Sequence, residues 1–362
     1  MLQVARFLGR TRGKGGPDLM DWLAYAYLGL GLLLVFLPVV WMLVSSFKPD
    51  KALREADPRL LPYQQLTVDL SAELGPRANA LPLVFALDAA SGETRRFAQE
   101  RVRGAQAVLL DYEQLARSGE LRRIEVPRLE TRPVERLQPR FANYSEPIER
   151  GKFNFVSCFG NSLFVTVSAT LLTLLINSMA AFALSRYRFR GRSLFMFLII
   201  ATLLIPPSII LVSLFLVVDG VSLFNSLWGV IIPGAATPTG VFLLRQYMLT
   251  IPEELLEAGR MDGASEWKVY WRLVLPLSLP ALAVLAILSV IWRWNDFLWP
   301  LIVLHDSEVQ TLQLCLNVFR GENISNDAWL LSMTTLSLLP ITLAFAFLQR
   351  FITTGIAASG MK

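Results

Sequence analysis

The chain has 362 residues, of which 54% are hydrophobic and 17% charged, with a formal net charge of +5. A soluble chain carries about a quarter charged residues, so this composition excludes an ordinary water-soluble globule and needs a bilayer, provided the apolar residues come in long runs. The excess of base is met below by the loops between those runs, and a nucleic-acid partner is not needed to explain it.

A basic N-terminal segment, 1–21, holds Arg6, Arg10, Arg12 and Lys14. Six nearly uncharged stretches follow, at 22–47, 160–184, 194–218, 227–244, 277–303 and 328–349. Each is near the roughly 20 residues that cross about 30 Å of hydrocarbon as a helix. The first is too long for a signal-peptide core, and Ser46-Phe47-Lys48-Pro49 follows it where a cleavage site would need small residues. It is expected to remain as an anchor. Pro206, Pro207, Pro233 and Pro238 inside later stretches predict bends.

The basic residues set the orientation. Arg186, Arg188, Arg190 and Arg192 lie between the second and third stretches, and Arg245, Arg260, Lys268 and Arg272 between the fourth and fifth. With six spans, these clusters and the N-terminal one share a side, which is then cytoplasmic, as are both termini. Cys158 and Cys315 fall on the outer side, where the reading favours two buried thiols over a disulfide.

Residues 48–157 form the one long hydrophilic stretch, outside the membrane on this topology. Apolar runs at 81–87 and 107–110, alternation through 93–97 and a further strand candidate at 124–126, with a turn at Ala89-Ala90-Ser91-Gly92, predict a small mostly β insert at about 66–139. The alternative is a partly ordered loop. The remainder divides into a core at 158–352, with a cytoplasmic loop at about 250–276, and a C-terminal tail at 353–362.

That cytoplasmic loop carries the strongest local signals. Thr250 followed by Glu253 has capping-box spacing, and Pro252 suits a helix start. Glu253 and Glu254 complement the positive end of the helix dipole. Gly259 and Gly263 would leave a bare strip for close approach, and Asp262-Gly263 is a natural stop. Periodicity alone also permits a plain interfacial linker. In the fifth stretch Arg293, Trp294, Asn295 and Asp296 interrupt the apolar run. Such residues in a span face protein or water. Arg293 and Asp296, three apart, are expected to pair on one helical face. Packing against another subunit and lining a polar translocation path both fit them.

Glu257-Ala258-Gly259, then Gly263, then Leu273-Val274-Leu275-Pro276 resembles the EAA motif of ABC importer permeases at every spacing. Gly259 stands where a second Ala is usual, and Leu273 where Ile is usual. The resemblance implies that this loop is a coupling helix seated in a partner ATPase, with Glu257, Ala258, Gly259, Asp262, Gly263, Leu275 and Pro276 as the coupling residues. Ala181–Arg192, Ile205-Pro206-Pro207, Phe242–Tyr247 and Trp294–Leu301 are similar to the maltose/glycerol-phosphate group of carbohydrate permeases, in the order of its MalG-like member. This implies an all-α polytopic fold of six transmembrane helices in a bacterial inner membrane. It implies as partners a sister permease, two ATPase subunits and an extracytoplasmic solute-binding protein, and a C-terminal tail reaching the ATPases. The β insert departs from the common pattern and faces the side where the binding protein docks.

No Walker A sequence, paired metal ligands or catalytic constellation is present, and the single His305 lies just outside a span. The expectation is therefore a transport subunit that is not an enzyme and binds no cofactor, with ATP and Mg held on the partner ATPases. An ion-driven secondary transporter would instead show internal repeats and midplane carboxylates. A membrane-anchored receptor built around the insert would leave the other spans unexplained. Glycerol phosphate or another polyol remains open beside a sugar as cargo.

Overall fold

The computed structural model describes residues 19–54, 60–88, 91–150, 154–318 and 326–359, with the side chains of Arg77, Arg150 and 350–359 also left aside. The basic segment before Leu19 lies outside the described residues. The chain divides into two compact units, Met1–Arg140 and Phe141–Lys362.

The first unit opens with helix α1, Leu19–Ser45. It is apolar all round, and Trp22, Tyr27, Leu34 and Phe36 are all exposed. Its own unit buries almost none of its most apolar window, as suits a helix made to meet lipid or other helices.

The insert is a folded sheet rather than a partly ordered loop. Its strands are β1 Tyr63–Gln65, β2 Thr67–Val68, β3 Leu81–Leu87, β4 Thr94–Arg103, β5 Gln106–Leu110, β6 Arg123–Pro127, β7 Arg132–Pro133 and β8 Glu135–Leu137. The order β2-β3-β4-β5-β6 is antiparallel throughout, with β7 also on β3, while β1 and β8 pair separately. Alternation places Leu83, Ala98 and Leu110 on one face and Val84, Phe97 and Leu109 on the other. Both faces are buried in apolar clusters. Helix α2, Tyr112–Ser118, covers one face, capped by Asp111 and ended at Gly119. Ala89 and Ala90 of the predicted turn lie outside the described residues, and Gly92 has φ +71°.

The second unit is helical. After α3, Ala142–Arg150, the 32-residue α4 runs Phe155–Arg186 as its central post. Helices α5, Arg192–Thr202, and α6, Pro207–Gly220, meet at 108° where Pro206-Pro207 interrupts the backbone ladder. The fourth predicted span is not continuous. It consists of α7, Leu227–Ile231, and α8, Pro238–Met248, because Pro233 and Gly234 break the chain and Thr237 starts a new helix. Helix α9 is Glu253–Met261. Helix α10, Glu266–Leu277, contains the π-helical stretch Tyr270–Val274 and meets α11, Leu279–Asn295, at 75°. Then come α12 Leu298–Val303, α13 Leu312–Val318 and α14 Asp327–Ser359. The last helix continues to Ser359, so the boundary drawn at 352 is not a break, and 360–362 lie outside the described residues. Among the described residues three helices are long and apolar enough to cross a membrane, or up to five if each bent pair is one span.

Cys158 and Cys315 form a disulfide, against the expectation of two thiols. Asn161 donates to the carbonyls of Glu308 and Gln310 at 2.8 and 3.0 Å, and the Ser162 hydroxyl accepts from the Leu312 amide at 2.7 Å. These contacts lay α13 along α4 and set the two Cα atoms 6.5 Å apart, within the reach of a bridge. Residues 157 apart in sequence give no hint of this.

Candidate functional site

Helix α9 begins at Glu253, and no side chain caps it. The capping box is not formed: Pro252 already flanks the helix, and the Thr250 hydroxyl turns back to donate to the Tyr247 carbonyl at 2.8 Å. The stop is where the sequence placed it. Asp262 is the C-cap, Gly263 has φ +75°, and the Ala264 amide donates to the Gly259 carbonyl at 3.0 Å, a left-handed glycine termination. A Cβ on Gly263 would meet nothing, whereas one on Gly259 would lie 2.7 Å from Leu273 Cδ1. The strip of small residues is thus half used within the chain. Gly263 serves the turn and Gly259 the packing.

The helix has one anchored side and one presented side. Leu256 is 2% exposed, inside a cluster with Phe182, Leu244, Met248, Val269, Tyr270 and Leu285. Glu253, Glu254, Glu257, Ala258 and Asp262 are exposed, and Met261 is 89% exposed. A helix end that offers carboxylates and a bare methionine suits a partner with a matching cleft. Leu275 and Pro276 lie behind it at the π-helical join to α11.

Several residues noted only as topology markers hold this helix in place. Arg186, the last residue of α4, donates to the carbonyls of Met248 and of Ile251, the latter at 2.6 Å. Arg192 and Arg245 both donate to the Leu184 carbonyl, at 2.9 and 3.1 Å. They satisfy carbonyls that the end of α4 leaves without intrahelical partners. Glu266 joins Arg260 at 2.8 Å and accepts from the Tyr187 hydroxyl at 2.7 Å. The Arg260 hydrogen bond, then that of Tyr187, holds the Glu266 carboxyl below the usual range. Burial, then the bond to Glu266, pushes Tyr187 up to about 12. Both groups keep their bonding charge states at neutral pH. An Arg cluster before a coupling motif was the available signal, but its targets are backbone atoms of distant residues.

Arg293, Trp294, Asn295 and Asp296 do not converge on one path within this chain. Arg293 is half-buried and donates to the Gly234 carbonyl. Trp294 is buried, its indole N–H donating to the Ser337 carbonyl at 2.8 Å and its ring edge-on to Phe159. Asn295 is exposed and donates to the Ile291 carbonyl at 2.8 Å. The expected Arg293–Asp296 ion pair is absent among the described residues. Helix α11 ends at Asn295, so Asp296 leaves the helical face and receives the Trp299 amide at 3.4 Å instead.

The break in the fourth predicted span is held from both sides. Asn177 of α4 donates to Thr237 Oγ1 at 2.7 Å and accepts from the Thr237 amide at 3.1 Å, while Arg293 reaches Gly234 from α11. Irregular backbone inside a membrane protein needs such partners. Among the described residues no cluster of His, Cys, Asp and Glu suited to a metal ion occurs.

Residues 173–357, just over half the chain, match the family model described as binding-protein-dependent transport system inner membrane component. The arabinooligosaccharides transport system permease protein AraQ of Halalkalibacterium halodurans is 37% identical over 204 residues, covering 56% of this chain and 73% of the relative. AraQ of Bacillus subtilis is 35% identical over 61% of this chain and 79% of the relative. The sn-glycerol-3-phosphate transport system permease protein UgpE of Yersinia pestis is 31% identical over 55% and 72%. A bacterial ABC transporter involved in the import of the acidic polysaccharide alginate shares the fold, with a TM-score of 0.63 and 20% identity over 94% of this chain and 99% of that one. An ion-driven transporter is thereby set aside, and the matched family consists of transport subunits rather than enzymes. The chain belongs to the binding-protein-dependent inner-membrane permeases of ABC importers.

Proposed function

We propose that this permease subunit imports a sugar or oligosaccharide together with a sister permease, and that α9 is the helix through which ATPase subunits drive it. The observation that carries the coupling role is the motif helix itself. Its outer side is bare, while its inner side is packed by Leu256 and tied by the Arg260–Glu266–Tyr187 clasp, and Arg186 of α4 holds the approach to it at Ile251. A push on such a helix moves the ends of two spans together, because packed elements shift as units. Glu257, Ala258, Gly259, Asp262, Gly263, Leu275 and Pro276 form or support the contact.

The carbohydrate cargo follows from relatives named for arabinooligosaccharides, with the relative named for sn-glycerol-3-phosphate keeping a polyol phosphate as the alternative. Three long helices, two bent pairs and the broken 227–248 segment are consistent with a reading of six spans. The basic loops support an orientation with both termini in the cytoplasm. Two ATPase subunits supply the ATP and Mg site, and an extracytoplasmic solute-binding protein supplies the cargo. This chain holds no cofactor of its own.

Glu257→Lys tests the reading. The variant should remain in the membrane at wild-type level while ATP hydrolysis no longer responds to loaded binding protein and uptake falls at least about tenfold, the loss expected when a like charge replaces a paired one at an interface. Uptake and stimulation at wild-type level would remove the coupling role of α9.

A further inference from the structure

The outer end of α11 closes one wall of a cavity of about 310 Å³. Asn295 and Phe297, Gln313 and Asn317 on α13, and Thr334 and Ser337 on α14 line it, with leucines filling the gaps between them. The volume lies at the small end of the range for small-molecule sites.

The walls are fixed before any ligand arrives. Cys315 lies between Gln313 and Asn317, and its disulfide ties α13 to α4. The Trp294 indole ties α11 to the Ser337 carbonyl at 2.8 Å. Asn295 donates to the Ile291 carbonyl at 2.8 Å and Gln313 to the Trp294 carbonyl at 3.3 Å. Each amide is thereby oriented through its nitrogen, and its oxygen has no partner among the described residues. Asn317 is exposed. Supported polar groups on packed helices are the mark of a preorganised site.

Among the described residues the lining holds three carboxamides, two hydroxyls and one aromatic ring, and no charged side chain. Carboxamides both donate and accept, which matches vicinal hydroxyls, and Phe297 with the leucines offers a surface for ring C–H groups. A uronate or phosphate would meet no cation among the described lining residues, and burying an unpaired charge is costly. We propose that this cavity binds one residue of a neutral carbohydrate on its way through this chain, an inference that rests on the importer reading above. It moves the sugar contact from the Arg293–Asp296 run as a whole to Asn295 joined with α13 and α14. It also assigns the cargo to the neutral class, against an acidic saccharide or a polyol phosphate.

Both cysteines of the chain are bonded to each other, so Thr334→Cys provides a single free thiol in the cavity. In membranes carrying the full complex, its labelling by an impermeant methanethiosulfonate is followed with arabinotriose, maltotriose, xylotriose, trigalacturonate or glycerol 3-phosphate present. At least one neutral trisaccharide should slow labelling about tenfold at about ten times its half-protecting concentration, and the two anions should not. Adding Gln313→Leu or Asn317→Leu should raise that concentration about 2- to 12-fold each, with the unprotected rate reporting that the cavity still forms. Absence of protection by every neutral sugar, or equal protection by the anions, overturns the proposal. Binding-protein-dependent uptake in the same membranes separates the two readings. Uptake without protection removes only the cavity, whereas protection in membranes that lack ATP-driven uptake upholds the cavity and removes the importer.

Discussion

Gly259 and Leu273 occupy the two positions where the motif departs from its usual Ala and Ile, and they touch. A Cβ at 259 would lie 2.7 Å from Leu273 Cδ1. Leucine carries its branch one carbon further out than isoleucine, so its methyl occupies the space an alanine methyl would take. What reads in sequence as two separate conservative changes is one repacking. Gly259→Ala alone gains about 1 kcal/mol of helix propensity, so the single variant does not reveal the contact. The coupling energy does. A thermal double-mutant cycle with Leu273→Ile should show a favourable interaction of at least about 0.5 kcal/mol, and additive effects would contradict the contact. The same limit on sequence reasoning shows at Arg293 and Asp296. Their spacing implies a pair only while the helix continues, and it ends one residue too soon.

At the scale of elements, α9 depends on a single buried side chain. Leu256→Ala should cost about 2–5 kcal/mol locally, enough to release the helix while the disulfide and the spans persist. Hydrogen exchange should show lost protection across 253–263 with α4 and α11 unchanged. Unaltered protection there would mean that the Arg186 and Glu266 contacts suffice without it. The existence and end of α9 were legible from its carboxylates and Asp262-Gly263. Its start was not, because Pro252 displaced the cap that Thr250 and Glu253 suggested. In the insert the apolar runs located β3 and β5, while alternation at 93–97 found the start of β4 but not its largely exposed second half, 99–103. The fourth span was read as bent at Pro233 and Pro238, and the bend is a full break between Ile231 and Pro238. Composition registers Pro233 and Gly234 as tolerable, and only the partners Asn177 and Arg293 explain why the break persists.

The whole molecule is incomplete by its own physics. The lipid-length helices α4 and α14 bury only 44% and 22% of their most apolar windows. The membrane class and the family were legible because bulk hydropathy and a spaced motif survive without coordinates. The amide-lined cavity and the disulfide were not, because α4, α11, α13 and α14 must first assemble around them. The central claim is that this chain works as one permease among partners. Purification from native membranes in mild detergent, followed by mass spectrometry of what accompanies it, tests this most directly. A second polytopic chain and a Walker-type ATPase in stoichiometric amounts are the predicted result. Recovery of the chain alone, or as a homo-oligomer with no ATPase, would contradict it.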